Sequence, residues 1–156
     1  MVKINLSGRK KVFLIAEAGI NHSGDIKTAL GLVDTAKNNG ADAIKFQTYK
    51  TEKRINRKYK KIFKILKNCE LSYQDFIEIN DYCKKKKIIF FSTPFDKEAV
   101  DFLETLKVPL YKVASFDISN YELIKKIIST KKPTIVSTGM ANILEIEKVY
   151  KFFKFN

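Results

Sequence analysis

Five short apolar runs, each followed by a stretch with helical periodicity, restrict this chain to folds built from repeated βα units. The runs cover 12–19, 43–48, 88–94, 110–115 and 134–139. They are near-continuous rather than alternating, the pattern of parallel strands covered on both faces. Helical signals fill the gaps. Ala29, Leu32, Val33 and Ala36 recur at helical spacing ahead of Gly40. Ser72 begins a second helix, with Asp75 three residues on and Leu71 and Phe76 placed as a hydrophobic staple. Asp96 caps a third, which carries Ala99, Phe102, Leu103 and Leu106. Ser119 and Glu122 read as the capping box of a fourth, which buries Leu123, Ile124, Ile127 and Ile128. Ile146, Val149, Tyr150 and Phe153 mark the last. The longer connection, 51–71, reads as one extra amphipathic surface helix, with Arg54 and Arg57 among its many basic residues.

Repeated βα units close either as an open doubly wound sheet or as a (β/α)8 TIM barrel. No G-x-G-x-x-G follows the first strand. Instead nearly every strand closes on polar groups: Glu17, then Lys45 and Gln47, then Ser92 and Thr93, then Lys112 and Ser115, then Ser137 and Thr138. A barrel gathers such ends on one face, whereas a doubly wound sheet concentrates them at a switch point. The expected fold is therefore the barrel. A whole barrel needs eight units and roughly 250 residues, and this chain supplies about the first five. An open piece of this kind exposes apolar edges.

Two lysines carry the chemistry. Lys45 lies in Ala43-Ile44-Lys45-Phe46 and Lys112 in Leu110-Tyr111-Lys112-Val113-Ala114. A buried ammonium is costly unless an anion meets it. No acid alternates with either lysine inside its own strand, which points to an anionic ligand arriving from outside the chain. Lys45, Thr93, Lys112 and Ser115 together offer two cations and two hydroxyls, suited to a phosphate plus a carboxylate. Glu17 and Asp117 supply carboxylates suited to moving a proton or holding a sugar hydroxyl. Blander roles stand beside these: strand-end capping for the hydroxyls, and an ion pair with one of the lysines for Glu17. His22, the single histidine, sits with Asn21 in the first βα loop and is not by itself a metal site.

Net charge is +13, from 30 basic and 17 acidic residues. With arginine confined to Arg9, Arg54 and Arg57, this reads as a lysine-rich solvated surface, not a nucleic-acid or membrane-binding face. Cys69 and Cys83 have neither metal nor disulfide spacing, and no leader or membrane-spanning run is evident. A reduced, cytoplasmic protein is expected.

The residues resemble a known family. Phe13-Leu14-Ile15-Ala16-Glu17-Ala18-Gly19-Ile20-Asn21-His22-Ser23-Gly24-Asp25 looks like the opening of the sialic acid synthases. Ile44-Lys45-Phe46-Gln47-Thr48-Tyr49, Phe91-Ser92-Thr93-Pro94-Phe95, Tyr111-Lys112-Val113-Ala114-Ser115 and Ser137-Thr138-Gly139-Met140 follow in family order. Each motif is weak alone; five in order over essentially the whole chain are specific. The family comprises the N-acetylneuraminate, legionaminate and pseudaminate (nonulosonic acid) synthases of surface-carbohydrate biosynthesis.

The resemblance implies condensation of phosphoenolpyruvate with an N-acetylated amino sugar and release of phosphate. It implies that Lys45, Thr93, Lys112 and Ser115 hold phosphoenolpyruvate, and that Glu17 and Asp117 face the sugar and the attacking water. Asn21, His22, Gln47 and Ser137 are candidates for lining the site. The family uses a divalent metal, Mn2+ or Mg2+, whose histidine ligands are expected on later strands, with none in this chain. The domain expectation is that 1–156 forms the N-terminal part of the barrel. The later units and the antifreeze-like domain would then be absent and the piece inactive alone, with a homodimer or a complementing chain as candidate partners. One departure is Ser115-Phe116-Asp117 where many sialic acid synthases read Ser-Gly-Glu, a variant similar to pseudaminate synthases, so the sugar stays open. Two other readings remain: a Schiff-base aldolase with Lys112 as nucleophile, and a non-catalytic fragment or half of a split synthase.

Overall fold

The computed structural model describes residues 12–154; Arg9 and the other residues before position 12 fall outside them. Each apolar run becomes a strand and each periodic stretch a helix. The order is β1 (Ile15–Glu17), α1 (Ile26–Asn38), β2 (Ala43–Thr48), α2 (Thr51–Arg54), α3 (Lys60–Asn68), α4 (Tyr73–Lys86), β3 (Ile89–Pro94), α5 (Lys97–Thr105), β4 (Tyr111–Val113), a 3-10 turn (Ser115–Asp117), α6 (Tyr121–Ser129), β5 (Thr134–Val136) and α7 (Ile143–Lys154). The five strands are all parallel, in the spatial order β1-β2-β3-β4-β5. That order never reverses, so the sheet has no switch point and is a singly wound arc of a barrel.

Register assigns the two faces of the sheet. Glu17 stands beside Lys45, Lys45 beside Phe91, and Gln47 beside Thr93. Ser92 stands beside Tyr111, and Lys112 beside Ile135. Because side chains alternate along a strand, Glu17, Lys45, Gln47, Thr93 and Lys112 share the inner face. Ile44, Phe46, Phe90, Tyr111 and Val113 turn outward. There they pack in one core with Val33, Phe76, Ile79, Leu103, Ile124 and Ile127 of the helices. Ser92 also turns outward, where its hydroxyl lies 2.7 Å from that of Thr48. It belongs to the helix side and not to the gathered strand ends.

Several local expectations change. β1, β4 and β5 are shorter than their apolar runs; Val12 and Leu14, ahead of β1, are exposed. Connection 51–71 contains two helices, α2 and α3, separated by Ile55 to Tyr59. A small second cluster of Tyr49, Leu66 and Phe95 holds this segment down, and the Tyr49 hydroxyl donates to the Leu66 carbonyl at 2.9 Å. Asn120, not Ser119, caps α6, its side chain accepting from the Leu123 N–H at 3.3 Å. Ser72 and Asp75 do form a reciprocal capping box on α4, and Asp96 caps α5.

The edge strands leave apolar grooves on their helix side. One, lined by Leu14, Ala16, Leu32 and Ile44, runs along β1; the other, lined by Val136, Ile146 and Phe153, runs along β5. No helix among the described residues is long and apolar enough to cross a membrane.

Candidate active site

The first βα loop follows directly from its sequence. His22 is only 2 % exposed, accepts the Gly24 N–H on Nδ1 at 3.1 Å and packs on Phe46, which faces the helices. Burial holds its imidazole below the usual range, against a hydrogen bond with the Gly19 backbone. Gly24 has φ +75°, and a Cβ there would come within 2.2 Å of the Asn68 carbonyl oxygen. Asp25 then caps α1 by accepting from the Thr28 N–H at 2.7 Å. Asn21 is exposed. Most of this motif therefore builds the loop, and His22, a candidate for lining the site, packs against Phe46 on the helix side of the sheet.

Lys45 is buried, but it does not wait for an outside anion. Its ammonium lies 2.5 Å from the Glu17 carboxylate and donates a long hydrogen bond, 3.4 Å, to the Thr93 hydroxyl. The anion that no residue of β2 could offer comes from the neighbouring strand. Glu17 is more than half exposed, so the pair sits at the solvent boundary of the inner face.

Lys112 has no such partner. Its ammonium donates to the Ser137 hydroxyl at 2.5 Å and to the Val113 carbonyl at 3.2 Å. It forms no ion pair among the described residues. Burial lowers its pKa, repulsion from Lys45 adds to that, and Glu17 opposes it. Of the two strand lysines, Lys112 is the one whose charge is left for a ligand.

At the carboxyl end of the sheet, Ser115 opens the 3-10 turn and Asp117 closes it. Asp117 is buried; its Oδ2 has no hydrogen-bond partner among the described residues, and Oδ1 receives only a 3.5 Å bond from Asn120. Burial pushes its carboxyl above the ordinary range, against Asn120 and Arg54.

Arg54 is a site residue that the sequence reading left on a surface helix. Its guanidinium lies 3.9 Å over the Phe95 ring and 4.6 Å from Tyr49, and donates to the Gln47 side-chain oxygen at 3.1 Å. Phe116, one of the two residues that depart from the Ser-Gly-Glu pattern, stacks on Phe95 at 5.6 Å and stands 6.0 Å from Arg54. Since Arg54 claims the Gln47 oxygen, the Gln47 amide NH2 is the end left for other partners; it lies near Gly19. The one available signal was an arginine in an otherwise lysine-rich segment, where Arg57 is the only other.

The described residues contain no group of three His, Cys, Asp or Glu able to hold a metal ion. What the arrangement offers is two ammoniums, Lys112 and Lys45, with the Ser137 and Thr93 hydroxyls beside them, and two carboxylates, Glu17 and Asp117.

Fold and site define a partial (β/α)8 barrel with a cationic inner face. The comparisons agree with that class and narrow it. The NeuB family matches residues 32–156, and the chain belongs to that family. It is 40 % identical over 152 residues to the N,N'-diacetyllegionaminic acid synthase of Campylobacter jejuni, covering 89 % of this chain and 46 % of that protein. It is 33 % identical to the mouse N-acetylneuraminate-9-phosphate synthase, covering 96 % of this chain and 45 % of that one. The crystal structure of the N-acetylneuraminic acid (sialic acid) synthetase of Leptospira borgpetersenii, in complex with citrate, superposes with a TM-score of 0.91 at 36 % identity. That match covers 98 % of this chain and 55 % of the other. The chain thus spans about half the length of the relatives it matches, in their N-terminal part.

Proposed function

We propose that this chain carries the phosphoenolpyruvate half-site of a nonulosonic acid synthase, which condenses phosphoenolpyruvate with an N-acetylated amino sugar. The observation that carries this reading is Lys112: a half-buried ammonium on the inner face with a hydroxyl partner and no carboxylate. A small anion bearing both phosphate and carboxylate supplies what that ammonium lacks.

In the proposed reaction, Lys112 and Lys45 bind the two anionic groups, with Thr93 and Ser115 as hydroxyl donors. The methylene carbon of phosphoenolpyruvate forms a bond to the sugar aldehyde carbon, whose oxygen takes up a proton. Water adds to the adjacent carbon and loses its proton to a carboxylate. The carbon–oxygen bond to phosphate then breaks as the new hydroxyl gives its proton to the departing phosphate, leaving a keto acid and free phosphate. Glu17, exposed and drawn from Lys45 as the ligand's anion competes for the ammonium, suits the proton steps. Asp117, kept protonated to higher pH by burial, suits donation. The family resemblance implies a divalent metal. The described residues do not by themselves fit one, so every step above runs through this chain's own groups. Turnover is accordingly expected only with the remaining barrel units, whether in a longer chain or a complementing one.

Calorimetric titration of phosphoenolpyruvate into the folded chain tests the half-site. Saturable binding that is lost in Lys112→Ala and weakened in Lys45→Ala is expected. A folded chain with no binding, or binding indifferent to both substitutions, would sink the proposal.

The lowered pKa of Lys112 also suits a Schiff-base nucleophile. Borohydride reduction in the presence of a carbonyl substrate decides between the two. A covalent adduct on Lys112 supports the aldolase reading, and its absence alongside phosphoenolpyruvate binding supports the synthase.

A further inference from the structure

The end of the sheet opposite the candidate active site holds a cavity of about 1000 Å³. It lies where β3, β4 and β5 begin, between the carboxyl ends of α4, α5 and α6. Ile88, Phe90 and Pro109 contribute an apolar floor, and lysines line the rim. Its size falls at the upper end of ordinary small-ligand pockets.

Three of the rim lysines share an unusual backbone. Lys87, Lys107 and Lys131 have φ of 55°, 58° and 56°, the left-handed region that costs any residue with a Cβ. Each follows one helix of the consecutive series α4, α5 and α6. The α1 terminus supplies an internal comparison. There the same position is Gly40, with φ 79°. In α1 the Gly40 N–H bonds the Lys37 carbonyl and the Ala41 N–H bonds that of Ala36. Lys87 with Ile88, and Lys107 with Val108, repeat those two bonds. The geometry is one that glycine serves best, and α1 uses glycine. Gly40 does not line the cavity; the three lysines do.

Complementing the helix dipole accounts for Lys107 alone, since α5 has no basic residue in its last turn. A lysine inside the last turn does that without strain, and α4 already ends in Lys84, Lys85 and Lys86 while α6 carries Lys126. Nor do they serve as ion-pair partners. The one acid on the cavity wall, Glu104, is taken by Lys132 and by the Tyr111 hydroxyl, each at 2.6 Å. Lys84 is held by Asp81 at 2.8 Å. Lys87, Lys107 and Lys131 form no ion pair among the described residues. One further group faces the cavity unspent. Asn80 is 7 % exposed, and its amide makes a single 3.5 Å bond, to the Leu106 carbonyl.

We propose that this cavity binds a nucleoside polyphosphate, its phosphates held by Lys87, Lys107 and Lys131 and its base set on the apolar floor beside Asn80. Three lysines lining one cavity suit a chain of phosphates. The apolar floor calls for a ligand with a flat, weakly hydrated part, and a buried amide can read the edge of a base. The site lies at the opposite end of the strands from Lys112, so a nucleotide held there would act on the barrel from a distance and not compete for the active site.

The test uses the 156-residue chain and calorimetry with ATP, CTP and inorganic tripolyphosphate. A triple variant, Lys87→Gly, Lys107→Gly and Lys131→Gly, removes the charges and relieves the backbone strain together, so it should fold with a raised Tm. Nucleotide affinity is expected to fall by at least about tenfold in that variant, as loss of charge-assisted hydrogen bonds requires. A Lys→Gln triple variant, which keeps the strain and removes only charge, should lose affinity equally. Lys112→Ala should leave nucleotide binding intact. No nucleotide binding to the native chain would overturn the proposal, as would binding that survives both triple variants or vanishes in Lys112→Ala. Tripolyphosphate binding as tightly as either nucleotide would overturn the assignment of a nucleoside to the floor.

Discussion

Glu17 and Lys45 face each other across the β1–β2 register, a carboxylate oxygen 2.5 Å from an ammonium nitrogen, with the lysine 5 % exposed and the glutamate 59 %. The two ends of this pair are unequal. Glu17 can be hydrated without its partner, whereas Lys45 cannot. Removing the acid therefore strands a buried charge, while removing the lysine strands nothing.

Glu17→Gln is expected to lower stability by about 1 kcal/mol, a value held down by the exposure of the acid. Lys45→Met is expected to stay within about 1 kcal/mol of the native chain, because an apolar side chain of similar length fills the site. Urea unfolding of both variants measures the difference. A larger loss in Lys45→Met than in Glu17→Gln would show that the pair itself, not the burial of the lysine, sets the energetics.

Lys112 makes stability depend on pH in a defined direction. Its folded-state pKa lies below the ordinary lysine value, so between the two values the unfolded chain binds more protons and stability rises with pH. Below the folded value both states are charged and the whole burial penalty stands. Lys112→Met should consequently gain about 1 kcal/mol at neutral pH. That gain should shrink as pH climbs to the ordinary lysine value. Chemical denaturation at a series of pH values provides the comparison, and a pH-independent gain would assign the effect to packing.

At the start of α6 the cap is Asn120, with Ser119 one residue outside, its carbonyl accepting the Tyr121 N–H at 2.9 Å. Asn120→Ala should cost about 1 kcal/mol and Ser119→Ala close to nothing. Equal losses on thermal unfolding would mean that both residues cap the helix.

That misassigned cap shows where the sequence stops being legible. Residue type and spacing were right for a capping box at Ser119, but the 3-10 turn at Ser115–Asp117 shifts the helix start by one residue. The apolar runs located all five strands, and β2 matches its run throughout, because it is the strand that pairs along its whole length with β3. Sidedness was also within reach, since alternation alone puts Ser92 opposite Thr93. A Glu17–lysine pair was legible only as an alternative; that the lysine is Lys45 was not, because it depends on register between segments 28 residues apart. Nor was the setting of Arg54, which Tyr49, Phe95 and Phe116 assemble from separate loops.

Arg54 is where loop chemistry meets the site, and its planarity is what the surroundings use. Stacking over Phe95 requires a flat cation, and the Gln47 bond requires an N–H directed sideways from that stack. Lysine can meet one demand but not both. Arg54→Lys is therefore expected to lose about 1–2 kcal/mol, nearly as much as Arg54→Ala. Phe116→Gly removes only the outer ring and should lose less. A double-mutant cycle of Arg54→Ala with Phe95→Leu isolates the stack. A coupling energy near zero would show that Arg54 is held by Gln47 alone, leaving the aromatic rings as walls of the site and not as a cradle for the guanidinium.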